Sequence, residues 1–220
     1  MELVWIGHAA VRIRSGSSEL FMDPFPASLG LKPSPAMAQA QVVTASNSSP
    51  DHSAVDTISH DPAPRVLTDP GEYEISGLNI KGIRTRLGEP EEGEEQAWNT
   101  TFCVEIEGLL VCHVGNPGSR FNDRQIQELS SPHVLIVPAG SPDGLSVPDA
   151  VDLINTVSPR VVVPVMYAHA GNHRQLGELA PFLGDLGAAR PEPQTRLTVT
   201  RTTLPEETTV ALLTPAGIPA

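Results

Sequence analysis

Short apolar runs, many of them alternating with polar residues, recur along the first half of the chain and are typical of β-strands. The runs fall at residues 3–6, 11–14, 19–22, 42–44, 65–68, 72–75, 79–83, 101–106 and 109–114. Residues 24–40 interrupt them with a proline-rich stretch, which predicts a surface loop. A short helix over residues 53–59 fits the polar segment that follows the fourth run.

The second half of the chain changes to helical periodicity. Asn122 and Ser146 are typical N-cap residues, and the pattern after them predicts helices over residues 123–130 and 148–157. A third helix is expected over residues 174–186, and a hairpin over residues 196–213.

Two continuous apolar runs separate these helices, at residues 134–138 and 161–165. Such runs are typical of strands that are covered on both faces. Strands and helices together predict a layered α/β sandwich.

A tight hairpin is predicted where two strands meet at Glu107-Gly108. In that register Cys103 faces Cys112 in a non-hydrogen-bonded pair, whose Cα atoms lie about 4.5 Å apart. This distance permits a disulfide. Because cysteines in the cytoplasm are normally reduced, we expect a reduced pair.

Composition excludes several classes of protein. The 220 residues include 14 Lys and Arg against 26 Asp and Glu, a formal charge of −12, and 40 % are hydrophobic. This is enough for one globular domain over residues 1–220 with a core that needs no metal to fold. The acidic balance disfavours nucleic acid and anionic membranes as partners. With no apolar run of about 20 residues, no signal-like start and two cysteines, a cytoplasmic protein is expected.

Several motifs resemble the metallo-β-lactamase fold in order and spacing, and most closely the bacterial Zn-dependent hydrolases related to ascorbate-phosphate lactonase. They are Trp5-Ile-Gly-His, Phe21-Met-Asp-Pro, Val43-Thr-Ala-Ser-Asn-Ser-Ser-Pro-Asp-His, Leu67-Thr-Asp-Pro-Gly-Glu-Tyr, Asn99-Thr-Thr-Phe, Val111-Cys-His-Val-Gly-Asn and Pro159-Arg-Val-Val-Val-Pro-Val-Met-Tyr. The resemblance covers nearly the whole chain and implies a four-layer αββα sandwich.

The resemblance also implies a dinuclear centre that hydrolyses its substrate through metal-activated hydroxide. Of the seven ligand positions of that family, only Asp51 and His52 carry a ligand here. The other five hold poor or impossible zinc ligands: Asn47, Ser49, Leu87, Asn116 and Met166. We therefore expect a degenerate site and no cofactor, with zinc or manganese at Asp51 and His52 as the alternative.

Three functions remain open for such a chain. In the first, the pocket at the former metal site binds an unknown small molecule or serves assembly. This pocket is formed by His8, Asp23, Asn47, Ser49, Asn116 and Met166, beside Asp51 and His52. Alternatively, a residual hydrolase holds one metal through Asp51, His52 and a recruited histidine such as His8, His169 or His173. Thirdly, the chain is a structural partner in an oligomer, with the loop over residues 24–40 as its contact.

Other clusters carry less weight. His169 and His173 are expected on an irregular loop rather than in a ligand set. The serines at positions 46, 48 and 49 lie near His52, but no Gly-x-Ser-x-Gly elbow supports a nucleophile. Five carboxylates crowd residues 89–95, and their repulsion argues against anionic substrates.

Overall fold

Two β-sheets form the centre of the fold. The computed structural model describes residues 1–59, 61–88, 90, 93 and 95–220. The strands are β1 (Glu2–Gly7), β2 (Ala10–Ser15), β3 (Ser18–Met22), β4 (Leu31–Lys32), β5 (Val42–Thr44), β6 (Arg65–Leu67), β7 (Gly71–Ile75), β8 (Leu78–Arg86), β9 (Trp98–Ile106), β10 (Leu109–His113), β11 (Val134–Pro138), β12 (Val161–Val165), β13 (Leu197–Thr198), β14 (Thr209–Val210) and β15 (Ile218–Pro219). The α-helices are α1 (Pro50–Ser53), α2 (Asp123–Leu129), α3 (Val147–Val157) and α4 (Leu179–Asp185).

The sheets pack face to face. The first has the strand order β13-β1-β2-β3-β5-β6, and the second has the order β14-β12-β11-β10-β9-β8-β7. Alternation along β1 shows how the layers are built: Leu3 and Trp5 join the core that also contains the second sheet, while Val4 and Ile6 join a separate core on the outer face. The predicted αββα sandwich is confirmed.

The two outer layers differ in kind. Helices α2, α3 and α4 lie beside the second sheet, where α3 contacts β11 and α4, and α2 contacts β8. The outer face of the first sheet is instead covered by the segment 24–59, which contains α1 and two short 3₁₀ turns, Ala27–Leu29 and Val55–Thr57.

The prediction of a surface loop at residues 24–40 is therefore wrong for its apolar residues. Phe25, Leu29 and Leu31 are buried in the outer core, because β1 and β3 expose an apolar second face that something must cover. These three side chains are therefore not available for the contact between subunits that was expected at this loop.

The N-caps of α2 and α3 are the residues predicted from the sequence, whereas the third predicted helix begins later than predicted. Asn122 forms a capping box with Gln125, and the Ser146 hydroxyl accepts from the Asp149 N–H, as their residue types predict. The third predicted helix starts late, at Leu179, because the backbone N–H of Gly177 donates to the carbonyl of Gly140 instead. No helix in the described part of the chain is long and apolar enough to cross a membrane.

The predicted hairpin over residues 196–213 is wrong. Strand β13 pairs with β1 at the edge of the first sheet, and β14 pairs with β12 at the edge of the second. Each sheet edge has free backbone N–H and C=O groups, and covering both edges satisfies more of them than a hairpin would. The short helix predicted over residues 53–59 is also displaced: α1 begins at Pro50 and ends at Ser53.

The hairpin at Glu107-Gly108 has the predicted register, with Cys112 opposite Cys103. The Cα atoms of the two cysteines are 4.0 Å apart and their sulfurs are bonded. The reduced pair that we expected from the cellular setting is wrong, since the cross-strand geometry brings both sulfurs together in the buried part of the sheet.

Removing this disulfide should lower stability measurably. Closing a loop of this size restricts the unfolded chain, so the double variant Cys103→Ala with Cys112→Ala should lose roughly 2–3 kcal/mol of unfolding free energy. The measurement is urea denaturation with and without reductant. Reductant should shift the midpoint of the wild type and leave the double variant unchanged; an unaffected wild type would show that the bond is absent in solution.

Candidate functional site

One polar cavity lies where strands of both sheets end. The carboxyl ends of β1, β3 and β5 converge with those of β10 and β12, as parallel strands do at a common edge. The cavity has a volume of about 180 Å³. It is lined by His8, Asn47, Ser49, Asp51, His52, Leu87, Asn116, Ser141, Pro142, Asp143, Met166, Arg174 and Leu176.

This lining contains every residue that the sequence suggested for the pocket except Asp23, together with both remnant ligands. Asp23 lies directly behind the cavity wall and is 1 % exposed. Sequence reasoning missed Arg174, Asp143 and Ser141, because these come from loops after β11 and β12 that carry no motif.

Asp23 and His52 form a buried pair. The His52 Nδ1 lies 2.8 Å from Oδ2 of Asp23, and Ser46 donates to the same carboxylate through its backbone N–H (2.7 Å) and its hydroxyl (2.6 Å). Burial alone would raise the pKa of Asp23, but the hydrogen bond with His52 and the other nearby donors outweigh it and lower that pKa. Asp23 is thus a carboxylate that fixes the His52 ring, leaving Nε2 as the ring nitrogen available to a ligand.

Ser46 is not placed as a nucleophile in this arrangement. Its hydroxyl donates to Asp23, and its distance of 3.5 Å to the His52 Nδ1 involves a nitrogen already bonded to that carboxylate. A serine nucleophile would need to donate to the histidine from the side opposite the aspartate.

His8 is buried beside this pair. Its ring centroid lies 5.4 Å from that of His52, and burial, followed by the repulsion from His52, lowers the pKa of His8 to about 3. Asn172 Nδ2 lies 3.4 Å from the His8 Nδ1, whereas the His8 Nε2 has no hydrogen-bond partner among the residues that the structure describes. A neutral imidazole nitrogen without such a partner is unusual in a protein interior, and His8 is part of the cavity lining.

The backbone is left-handed at three non-glycine residues around the cavity: His8 (φ 48°), Asp23 (φ 51°) and Met166 (φ 52°). Aspartate and histidine adopt this region several-fold more readily than other residues, but an unbranched apolar side chain gains nothing from it. Such strain persists where the surrounding structure imposes it, and it clusters at functional sites. At Met166 the backbone N–H donates to the His8 carbonyl, which joins the two sheets across the cavity.

Asn116 is held from behind by a second buried amide. Its backbone N–H donates to Asn99 Oδ1 (2.9 Å), and Asn99 Nδ2 in turn donates to Thr85 and to the Val114 carbonyl. The Asn116 Oδ1 has no hydrogen-bond partner among the described residues and lies against Gly144, where a Cβ would come within 2.0 Å of it. A side chain at position 144 would therefore push Asn116 out of place.

Arg174 brings a cationic side chain into the cavity lining. Its Nη2 lies 2.8 Å from Asp143 Oδ2, and its Nη1 lies 3.6 Å from Asp51 Oδ2. Asn172 Oδ1 accepts from the Arg174 backbone N–H and fixes the loop at that point. The guanidinium thus bridges the two carboxylates that line the cavity, one of which is a remnant ligand.

Of the three histidines considered as recruited ligands, His8 lines the cavity, whereas His169 and His173 lie outside its lining. His169 packs its ring against Trp5, with centroids 4.8 Å apart, and His173 lies 3.3 Å from the Ser28 carbonyl. His113 donates to the Ala9 carbonyl and accepts from the Gly115 N–H, so it supports the scaffold. His60 lies outside the described residues. So do four of the five glutamates of the acidic run, at positions 89, 91, 92 and 94.

The residues present do not fit the metal centre that the resemblance implies. A catalytic zinc takes three protein ligands and keeps one open position. Among the described residues, no group of three or more histidine, cysteine, aspartate or glutamate side chains is placed to hold a metal ion. At the seven ligand positions of the family, the cavity combines Asp51 and His52 with two amides, a serine, a leucine and a thioether.

Comparison with known proteins agrees with the fold. The family model for the beta-lactamase superfamily domain matches residues 2–166. Proteins named UPF0173 metal-dependent hydrolase, from Archaeoglobus fulgidus and Methanosarcina mazei, are 26 % and 25 % identical and align over 76 % of this chain and 83 % of their own length.

Solved structures give the same result. A candidate Zn-dependent hydrolase of the metallo-beta-lactamase superfamily from Thermotoga maritima superposes with a TM-score of 0.75 at 25 % identity, covering 96 % of this chain and 97 % of its own. A metallo hydrolase from Ignicoccus hospitalis superposes with a TM-score of 0.64 at 16 % identity, covering 90 % and 99 %, and shows the fold alone.

Proposed function

The chain belongs to the beta-lactamase superfamily, among metal-dependent hydrolases of the metallo-β-lactamase fold, and from this premise we propose that it has lost the dinuclear centre and the hydrolytic activity of the fold. Its cavity then serves as a metal-free pocket for a small polar molecule. The scaffold survives this loss because its core is large and apolar and does not depend on a metal.

The position of Arg174 carries the proposal. A guanidinium 3.6 Å from Asp51 neutralises the one carboxylate that remains from the ligand set, and it repels a divalent cation at the same place. The Arg174 guanidinium therefore stands beside Asp51 as a positive charge that belongs to the protein itself. With Asp51 and Asp143 paired and His8 neutral, the pocket offers hydrogen-bonding groups and little net charge, which suits a small neutral ligand.

Replacing Arg174 should raise the affinity for zinc. Arg174→Ala removes the competing cation and frees Asp51, and a gain of about 1.4 kcal/mol would tighten zinc binding tenfold. Calorimetric titration of zinc into the purified protein measures this. Arg120→Ala is the matched control, because Arg120 also bridges two aspartates, Asp149 and Asp152, and none of the three residues is part of the cavity lining. Equal zinc affinity for wild type and Arg174→Ala would contradict the role assigned to Arg174.

A residual hydrolase with a single metal is the second candidate, and the unpaired Nε2 of His8 favours it. That nitrogen lies in the wall shared with His52 and Asp51 and is neutral at physiological pH. His8, His52 and Asp51 would supply the three ligands of a catalytic zinc only if their side chains rearrange and the Arg174 guanidinium moves away from Asp51. Tight binding of one zinc by the wild type, lost in His8→Asn, would support this candidate instead.

A further inference from the structure

A second depression lies beside the cavity and shares Asn47 with its lining. It has a volume of about 500 Å³, within the roughly 300–1,000 Å³ of small-molecule sites. Its walls are the turn after β5 (residues 45–48), the segment 68–70 and the side chains of Arg84, Trp98 and Thr100. Asn47 lines both depressions, so a molecule in this groove lies next to the cavity.

Trp98 is the aromatic wall of this groove. It is 46 % exposed, whereas the other tryptophan, Trp5, is fully buried. An indole with this exposure offers a flat aromatic surface on which a ligand can pack. The Arg84 guanidinium lies 5.2 Å from the ring centroid, a cation–π contact that fixes the orientation of the indole.

The remaining walls are polar and already ordered. Thr68 donates to the Asp69 carboxylate, and the Asp69 carbonyl accepts from the Tyr73 hydroxyl. Thr100 donates to the Thr68 carbonyl, which ties the segment 68–70 to β9. The groove therefore presents an acceptor at Asp69 and donors at Arg84 and Ser48 on a fixed framework, and its two formal charges cancel.

We propose that this groove binds a neutral saccharide, with one face of a pyranose ring packed on Trp98. The C–H groups of a sugar face are weakly positive and pack on the negative face of an indole. The Arg84 guanidinium lies over one face of the indole, so the sugar packs on the opposite face. The vicinal hydroxyls of the sugar donate and accept together, which matches Asp69 and Arg84 in the groove lining. A phosphate ester finds a single cation here, in a chain of net charge −12, and an apolar ligand would leave the polar walls unpaired.

Trp98 is also the reporter for the test, which does not depend on whether the neighbouring cavity holds a metal. Titration with methyl glycosides of glucose, galactose, mannose and N-acetylglucosamine, and with maltose, should change tryptophan emission saturably at millimolar sugar for at least one member. Trp5 is fully buried and contributes a constant background. Adenosine is included because a nucleobase also stacks on an indole.

Variants measured by calorimetry assign the binding to the groove. Trp98→Ala should weaken the saccharide at least tenfold and Asp69→Asn several-fold. Val66→Ala, which alters an equally exposed side chain outside the groove, should leave the affinity unchanged. The proposal is overturned if no saccharide gives saturable binding, if adenosine alone binds, or if Trp98→Ala binds as tightly as the wild type.

Discussion

Lowering the pH from 6.5 to 4 should destabilise the folded chain by about 3 kcal/mol or more. The reason is burial of neutral histidine. Burial and the neighbouring His52 lower the pKa of His8 to about 3, and burial also lowers the pKa of His113. A histidine whose pKa is lower in the folded state than the ordinary 6.5 binds its proton more readily when unfolded, so stability falls as the pH drops below 6.5.

Urea denaturation at a series of pH values measures this effect. His8→Asn removes the titrating ring while keeping a residue type that tolerates the left-handed backbone at this position. The variant should lose the part of the slope that His8 contributes, about 3 kcal/mol between pH 6.5 and 4. The remainder belongs to His113, His133 and His169, whose pKa values burial also lowers. His173→Asn, at an exposed histidine, should keep the wild-type slope. An unchanged slope in His8→Asn would show that His8 is not buried as a neutral ring.

Removing the Asp23 carboxylate should cost roughly 3–5 kcal/mol of unfolding free energy. Asp23→Ala leaves the Ser46 N–H, the Ser46 hydroxyl and the His52 Nδ1 without their shared acceptor in a buried site. It also places alanine in a left-handed backbone conformation that aspartate tolerates better. Thermal and urea unfolding measure the loss.

Asp23→Asn separates the charge of Asp23 from its shape, and Asp56→Ala serves as a surface control. Asp23→Asn keeps one acceptor oxygen and should cost less than Asp23→Ala. Asp56→Ala, at an exposed aspartate of the same outer layer, should change stability by no more than about 0.5 kcal/mol. Because the pKa of Asp23 is lowered in the folded state, its contribution is present above pH 4 and is lost as the pH falls further. A cost for Asp23→Ala no larger than that for Asp56→Ala would contradict the central place given to this carboxylate.

The strands were largely predictable because continuous apolar runs leave little alternative. Val42–Thr44, Val134–Pro138 and Val161–Val165 have the boundaries that their composition predicts. The two-residue strands β13 and β14 were not predictable, since their partners are far away in sequence and edge pairing decides their place. The outer layer formed by residues 24–59 was missed for a related reason: its prolines indicate a loop, and only the exposed face of the first sheet shows that this loop must be buried.

The site was predictable only as far as motifs extend. Strand ends that carry His8, Asp23, Asn47 and Asn116 converge because the strands are parallel there, so their approximate neighbourhood followed from the family resemblance. The hydrogen-bond or ion-pair partner of each side chain could not be predicted in this way. The hydrogen bond between Asp23 and His52 and the contacts of Arg174 with Asp51 and Asp143 depend on loop paths that no periodicity encodes.

The metal content of the wild-type protein tests the central claim most directly. Protein purified without chelator and analysed for zinc, manganese and iron by mass spectrometry should contain well below one equivalent of any of them, and adding zinc should raise neither its melting temperature nor its bound metal after dialysis. One full equivalent that survives dialysis and disappears in His52→Ala would contradict the loss of the metal centre.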